Sequence, residues 1–180
     1  MTTEATAAPM ARPSWRMRPA TRKLVLTLHV IASVGLLGEV WALTSLNVYV
    51  TTSADADMAH TAYELMTVLT YTGGIPLSLT ALATGVLLGL GTKWGVLRHV
   101  WTAGKLLLNL SVIIIGAALF QPEALAAAYE NDTLTSGQQW RNVTAVTVQL
   151  IMLLTATALT IYKPKGRLLG GARRPGASRA

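Results

Sequence analysis

The chain contains no cysteine and few charged residues. None of its 180 residues is cysteine, which excludes disulfide bonds, thiolate metal sites, cysteine nucleophiles and iron–sulfur clusters. Only 13% of the residues are charged and 52% are hydrophobic, whereas a soluble domain usually carries about 25% charged residues. The sequence also lacks a nucleotide-binding loop, a nucleophile elbow, a zinc-protease motif and a calcium loop. The composition therefore indicates a membrane protein and argues against a soluble type of hydrolase.

The positive charge lies mainly outside the hydrophobic segments. Fifteen Lys and Arg residues against eight Asp and Glu residues give a formal net charge of +7. Basic residues concentrate in the two tails and in residues 91–98, whereas residues 51–63 and 121–139 carry acidic residues without Lys or Arg. Membrane proteins carry their basic loops on the cytoplasmic side. The charge therefore indicates topology and not nucleic-acid binding.

Four hydrophobic segments are long enough to cross a bilayer, which takes about 20 residues. They lie at about residues 24–50, 64–90, 99–120 and 140–162. Residues 1–23 form a disordered basic tail in this interpretation, and residues 163–180 form a second basic tail. The composition, rich in Ala and Arg, points to a bacterial host. The sequence thus predicts an all-α, multi-pass four-helix bundle in the bacterial cytoplasmic (inner) membrane, with both termini in the cytoplasm.

Two local features interrupt this pattern. Residues 73–76, Gly-Gly-Ile-Pro, lie inside the second span, and the proline predicts a kink near Thr72 because it removes a backbone donor. The interruption is either a simple bend that neighbouring helices tolerate or a break that admits a ligand. Residues 124–129 are expected to form a short interfacial helix. His60, in the outer loop at 51–63, is expected to be solvated.

One group of polar residues falls near the cytoplasmic side of the spans. From a rise of about 1.5 Å per residue, His29 and Lys105 lie roughly 9 Å and 7 Å from the bilayer middle on that side. Arg98, His99 and Trp101 rim the same layer. His29 is too short to reach the headgroups, so it needs a hydrogen bond within the bundle or a haem or metal partner. Lys105 either faces the bundle interior or extends to the cytoplasmic headgroups.

Helical phase places several of these residues on one stripe of the third span. At about 100° per residue the stripe contains Arg98, Trp101, Lys105, Asn109 and Gly116. A polar stripe on a membrane helix should face the interior or a cavity. Because Lys105 and His29 have similar depths, we expect a polar pocket between the first and third helices.

A second polar layer lies on the outer side and comprises Glu39, Tyr71 and Gln149, with Asn109 near the centre. Glu39 and Lys105 differ in depth by roughly 13 Å, which argues against a direct salt bridge. Burial favours the neutral form of Glu39, and we expect the residue to be protonated or hydrogen-bonded to Tyr71 or Gln149. A role in proton relay is the alternative.

Two segments carry a resemblance to known proteins. Residues 23–35, Lys-Leu-Val-Leu-Thr-Leu-His-Val-Ile-Ala-Ser-Val-Gly, and residues 92–108, which include Arg98-His-Val-Trp-Thr-Ala-Gly-Lys105, resemble a family of predicted bacterial four-helix integral membrane proteins of unknown function. More distantly, a leucine-rich first helix bearing a histidine is similar to membrane-embedded protoporphyrinogen oxidases and to copper-resistance D-type proteins. That likeness implies haem b as a cofactor, His29 as an axial ligand and Lys105 near the porphyrin. His99 is then the candidate for a second ligand.

Three functions follow from these observations. The first is a non-enzymatic accessory subunit of a larger membrane complex, for example a respiratory or redox complex, because small residues such as Ser33, Gly35 and Gly38 suit close helix contact. The second is a haem- or porphyrin-binding redox protein, with Arg98 and Lys105 neutralising the propionates. The third is a small proton-coupled transporter that uses Glu39. The expected partners are the bilayer and either other membrane subunits or further copies of the chain.

Overall fold

The computed structural model describes residues 17–53, 55–90 and 100–162, and most of these residues are helical. The helices are α1 (Pro19–Thr52), α2 (Ala56–Leu69), α3 (Ile75–Leu90), α4 (Val100–Leu119), α5 (Pro122–Glu130) and α6 (Ser136–Tyr162). A π-helical turn at Thr70–Gly74, called the π turn below, joins α2 to α3. We call α1, the α2–π turn–α3 unit, α4 and α6 the first to fourth long helices.

Four stretches are long and apolar enough to cross a membrane. They are Pro19–Thr52, Asp57–Leu90, Ala103–Glu130 and Ser136–Tyr162. Each exceeds the roughly 20 residues that a hydrocarbon core of about 30 Å requires. The predicted all-α fold with four such helices is confirmed.

Several helices extend beyond the predicted spans. α1 begins at Pro19, inside the stretch that was expected to be a disordered tail, and proline suits the first turn because its missing N–H needs no partner there. α2 begins at Ala56, where the Asp55 side chain accepts a hydrogen bond of 3.0 Å from the Met58 backbone N–H. His60 therefore lies on a helix and not in a loop. The short helix expected at 124–129 is present as α5.

The predicted interruption of the second span is the π turn. The backbone N–H of Ile75 donates to the carbonyl of Thr70, five residues back, which is the hydrogen-bond spacing of a π-helix. Pro76 follows directly and contributes no N–H. The chain therefore stays helical through the Gly-Gly-Ile-Pro sequence, and the local widening takes the place of a break.

The long helices are arranged so that neighbours in sequence are also neighbours in space. α1 packs most extensively against α3 and α6, α4 packs against α6 and less against α3, and α2 packs against α5. We call the end that carries Pro19, Leu90, Val100 and Tyr162 the tail end, and the opposite end the loop end.

Among the described residues, most of the large buried side chains lie toward the loop end. The loop-end core consists of Leu43, Val50, Ala59, Ala62, Tyr63, Met66, Phe120, Leu125 and Val146. A smaller cluster of Leu36, Val40 and Leu150 lies nearer the middle of α1 and α6. α5 adds Leu125 to the loop-end core, so this short helix closes one end of the bundle.

Candidate functional site

His29 is fixed by two hydrogen-bonding groups of α3. Its Nδ1 lies 3.0 Å from the carbonyl oxygen of Ala81 and 3.0 Å from the hydroxyl oxygen of Thr84. A carbonyl oxygen only accepts, so Nδ1 carries a proton when it makes this bond. The Thr84 hydroxyl donates to the carbonyl of Thr80, which leaves its oxygen lone pair for Nδ1–H. In the neutral imidazole, Nε2 is then the nitrogen with a free lone pair.

Gly85 lets the imidazole approach α3 closely. A Cβ atom at this position would lie 3.2 Å from His29 Cε1 and 3.6 Å from Nδ1. The first of these distances is shorter than ordinary van der Waals contact, which begins at about 3.5 Å between carbon atoms. Thr84 and Gly85 therefore act together, since the Thr84 hydroxyl accepts a hydrogen bond from the imidazole N–H and Gly85 leaves room for the ring.

Lys105 approaches the same site from α4. Its side chain is partly buried, and its charge is close enough to act electrostatically on the His29 imidazole. The structure thus brings His29 and Lys105, the two residues that were predicted to lie at similar depth, near each other. Arg98 and His99 lie outside the described residues, as does the side chain of Trp101.

The predicted location of this pocket requires a correction. His29 was expected to face the third long helix, but both of its hydrogen-bonding partners belong to α3 in the second. The reason is the arrangement of the bundle, in which α1 lies directly against α3. Lys105 reaches the site from the diagonal helix, so three long helices contribute to it.

Glu39 is the second unusual group on α1. It exposes only 9% of its surface, and neither carboxylate oxygen has a hydrogen-bond partner within the described part of the chain. The carboxyl group lies flat against the π turn. A Cβ atom at Gly74 would lie 2.6 Å from Glu39 Oε1, and one at Gly73 would lie 3.3 Å from the carboxyl carbon. The Gly74 backbone amide is near enough to interact electrostatically with the carboxyl.

Neither Tyr71 nor Gln149 forms the hydrogen bond to Glu39 that was one of the two expected alternatives, so that alternative is wrong and a protonated Glu39 stays a prediction. Tyr71 lies on the outside of the π turn, where it is 52% exposed and interacts with Glu123 of α5. Gln149 is buried, and its Nε2 donates to the carbonyl of Val112 over 2.9 Å. The outer residues therefore form separate contacts and not one polar layer.

The polar stripe of α4 faces inward for part of its length. Asn109 has a buried Oδ1 without a partner among the described residues. About two turns beyond it, a Cβ atom at Gly116 would lie 3.0 Å from Gln149 Nε2. Gln149 therefore crosses from α6 to α4 over a glycine, much as His29 crosses to α3 over Gly85.

Some contributing residues carried no signal in the sequence. Thr84 and Gly85 were not singled out because Thr and Gly are common in membrane helices. Asn47 and Asn142 are also buried, and the Asn47 amide donates to the carbonyl of Leu43 and to the sulfur of Met66. His29 and Thr84 lie 55 residues apart on two different helices, so no periodic pattern within one helix could connect them.

At the loop end, His60 has a partner that the expected solvation did not include. Its Nε2 lies 3.3 Å from Glu130 Oε1, and its ring lies 6.3 Å from that of Tyr129. Both charged groups are substantially exposed, so this pair joins α2 to α5 with little effect on stability.

The described residues contain no group of three or more His, Asp or Glu side chains that could hold a metal ion. No family model matches the chain, and no curated protein or solved structure is significantly similar to it.

Proposed function

We propose that this protein is a four-span membrane protein of the bacterial cytoplasmic membrane and serves as a non-enzymatic subunit of a larger membrane complex. Four long apolar helices support the insertion. The basic tails and the basic residues at 91–98 support an orientation with both termini in the cytoplasm.

The orientation is directly testable because the chain contains no cysteine. Single cysteines introduced at Ser136 and at Ser178 give two reporters on opposite sides of the bilayer. A membrane-impermeant maleimide should label Ser136→Cys in intact spheroplasts and Ser178→Cys only after the membrane is opened. Labelling in the reverse order would contradict the proposed orientation.

The observation that carries the subunit role is an open notch at Gly38. This residue is exposed on α1, and a Cβ atom there would meet nothing within 4 Å. The neighbouring Val34 and Trp41 are also exposed, at 64% and 62%. Glycine on a membrane-helix surface lets another helix approach its backbone closely. Gly38 therefore supports the docking of a further helix, from a partner subunit or a second copy.

Bulk added at the notch tests this role. Gly38→Leu should release the partner, whereas Ala83→Leu, on an exposed position of α3, should leave the complex intact. Both variants are compared with the unaltered protein by mild-detergent purification, native mass measurement and identification of co-purifying chains. A lone monomer before any substitution, or an unchanged complex after Gly38→Leu, would contradict the proposal.

A second candidate function is haem b binding at His29. The favouring observation is the bond from Nδ1 to the Ala81 carbonyl, because metal-binding histidines commonly donate their other N–H to a carbonyl. Nε2 then suits iron, and the Lys105 charge suits an anionic propionate. When bound, haem would supply one-electron chemistry. His29 would hold and orient it, and Lys105 would lie at its charged edge.

An absorption spectrum of the purified protein distinguishes this candidate. Haem ligation by His29 predicts a Soret band that His29→Ala removes and His60→Ala retains, since His60 pairs with Glu130 at the loop end. Absence of the band from the unaltered protein, even after haem is supplied during expression, would eliminate the candidate.

A further inference from the structure

The Glu39 carboxyl group belongs to neither of these functions, and its surroundings are unusual. It is a buried acid in the middle of α1, and both of its oxygens lack a hydrogen-bond partner in the described part of the chain. Its immediate neighbours are Gly73 and Gly74. We propose that Glu39 and the π turn form a proton-binding site inside the membrane-spanning region, whose ligand is a single exchangeable proton on the carboxyl group.

A negative charge on Glu39 would have no compensating basic side chain in the described part of the chain. An unpaired carboxylate in an apolar interior is so costly that the group takes up a proton instead. In the described part of the chain Glu39 forms no ion pair with a basic side chain, and the backbone amide of Gly74 acts on the carboxyl group. One backbone amide offsets only part of the cost of removing a carboxylate from water. The neutral acid is therefore the resting form.

The polar side chains on the helices around Glu39 interact with other groups. Tyr71, the titratable side chain of the π turn, interacts with Glu123 of α5. The amide of Gln149 on α6 donates to Val112. Lys105 acts on His29 and lies toward the tail end. These polar side chains are thus engaged elsewhere, and the side of the carboxyl that meets the second long helix meets backbone.

The π turn, which lies against the Glu39 carboxyl group, changes the local balance of backbone donors and acceptors. The π turn shifts the bond of Ile75 N–H to the carbonyl of Thr70, and Pro76 contributes no N–H at all. The turn therefore has fewer backbone donors than acceptors. A protonated carboxyl group brings an O–H donor to this same place, and the two glycines leave its path clear. The protonated form therefore supplies a donor beside a turn with fewer donors than acceptors, whereas the carboxylate would add only further acceptors.

The substitution Glu39→Gln distinguishes a proton-binding site from a side chain that only fills space. A glutamine has nearly the same shape and offers an N–H donor, but it cannot release a proton at accessible pH. If Glu39 only fills space, Glu39→Gln is silent in every measurement. If it binds a proton, the acid has a spectroscopic signature and a reactivity that Glu39→Gln loses while the fold is kept.

Infrared spectroscopy of the full chain in lipid vesicles tests the site. We expect a carbonyl stretching band of a water-excluded carboxylic acid at neutral pH, which shifts in D₂O and converts reversibly to carboxylate bands as the pH is raised. Glu39→Gln should remove the band, and Glu64→Gln should retain it because Glu64 is exposed on α2. Circular dichroism confirms that both variants are helical. A band that is missing, or that survives Glu39→Gln, would overturn the proposal.

A second measurement needs no variant. Dicyclohexylcarbodiimide, an apolar reagent, adds to a protonated carboxyl group, and the O-acylisourea that forms rearranges to a stable N-acylurea. Peptide mass mapping of the unaltered protein should find this adduct at Glu39, decreasing as the pH is raised. No adduct at Glu39 would overturn the proposal. Protection by NaCl but not by choline chloride would also overturn it, because it would assign the site to a metal cation.

The proton site and the subunit role can fail separately. The infrared band and the adduct depend on Glu39 alone, whereas release of a partner depends on Gly38. A monomeric protein that keeps the band would remove the subunit role and leave the proton site intact.

Discussion

His29 and Glu39 lie on the same helix and face the same neighbour, yet their surroundings are opposite. The Nδ1 atom of His29 has two acceptors on α3. Both oxygens of Glu39 lie against the π turn and have no hydrogen-bond partner among the described residues. A buried polar group whose hydrogen bonds are formed holds two helices together. A buried polar group without a hydrogen-bond partner does not stabilise the fold, so its presence needs another explanation. The comparison therefore assigns anchoring to His29 Nδ1 and proton chemistry to Glu39.

The largest expected effect comes from filling the space that Glu39 uses. Gly74→Val should lower the free energy of unfolding by about 1–3 kcal/mol, because its Cβ would overlap Glu39 Oε1 and overpacked sites cost that much. Denaturant titration of the protein in micelles, followed by circular dichroism, measures the change. Gly137→Val, at an exposed position where the nearest atom to an added Cβ lies 4.0 Å away, is the control and should differ little from the unaltered protein. Equal losses would show that the π turn is not specifically packed.

Removal of the anchored group should have the next largest effect. His29→Ala should lower the free energy of unfolding by about 1–2 kcal/mol, since it takes away a hydrogen bond and the packing of the ring against Gly85. The same titration measures the loss. His60→Ala, in an exposed pair, should stay within about 0.5 kcal/mol of the unaltered protein. A silent His29→Ala would remove the anchoring role.

Replacing the unpartnered acid should cost less than replacing the anchored histidine. Glu39→Met is expected to change the free energy of unfolding by under about 1 kcal/mol, because exchanging an unsatisfied polar group for an apolar one of similar shape can be nearly neutral. The comparison with His29→Ala is made in one titration series. A loss larger than that of His29→Ala would reverse the assignment of the two roles.

The smallest expected effect is the coupling of His29 to the Thr84 hydroxyl. A double-mutant cycle of His29→Ala and Thr84→Val should give about 0.6 kcal/mol, the average for side-chain hydrogen bonds in membrane helices. The four unfolding free energies of the cycle supply the value. Additive losses would mean that Ala81 alone holds the imidazole.

The long helices could be predicted from hydropathy because length and apolar character are properties of single segments. The proximity of His29 and Lys105 could be predicted in the same way, because the rise per residue gives them similar heights along the bundle. The partner of His29 could not be predicted, since it depends on how α1 is rotated against α3. That rotation is set by small residues such as Gly85, which hydropathy does not distinguish.

The contact of Glu39 with the π turn also could not be predicted from the sequence. The sequence marked both Glu39 and the Gly-Gly-Ile-Pro stretch as unusual, yet nothing in it joined them. Their contact depends on a π turn, and a turn type that inserts one residue cannot be derived from a proline alone. Tyr71 was misplaced for the same reason, because the turn directs it outward toward Glu123.

Among the described residues, apolar packing is concentrated at the loop end of the bundle. The nine buried residues of the loop-end core join α1, α2, α5 and α6 there, whereas the described residues near the tail end make smaller contacts such as that of His29. α1 has 34 residues, so at about 1.5 Å per residue it is a lever about 50 Å long, and a tilt of about 5° at the loop end moves its tail by about 4 Å. Hydrogen exchange should accordingly quicken toward the tail end, where the chain can convert a small rotation into a large displacement.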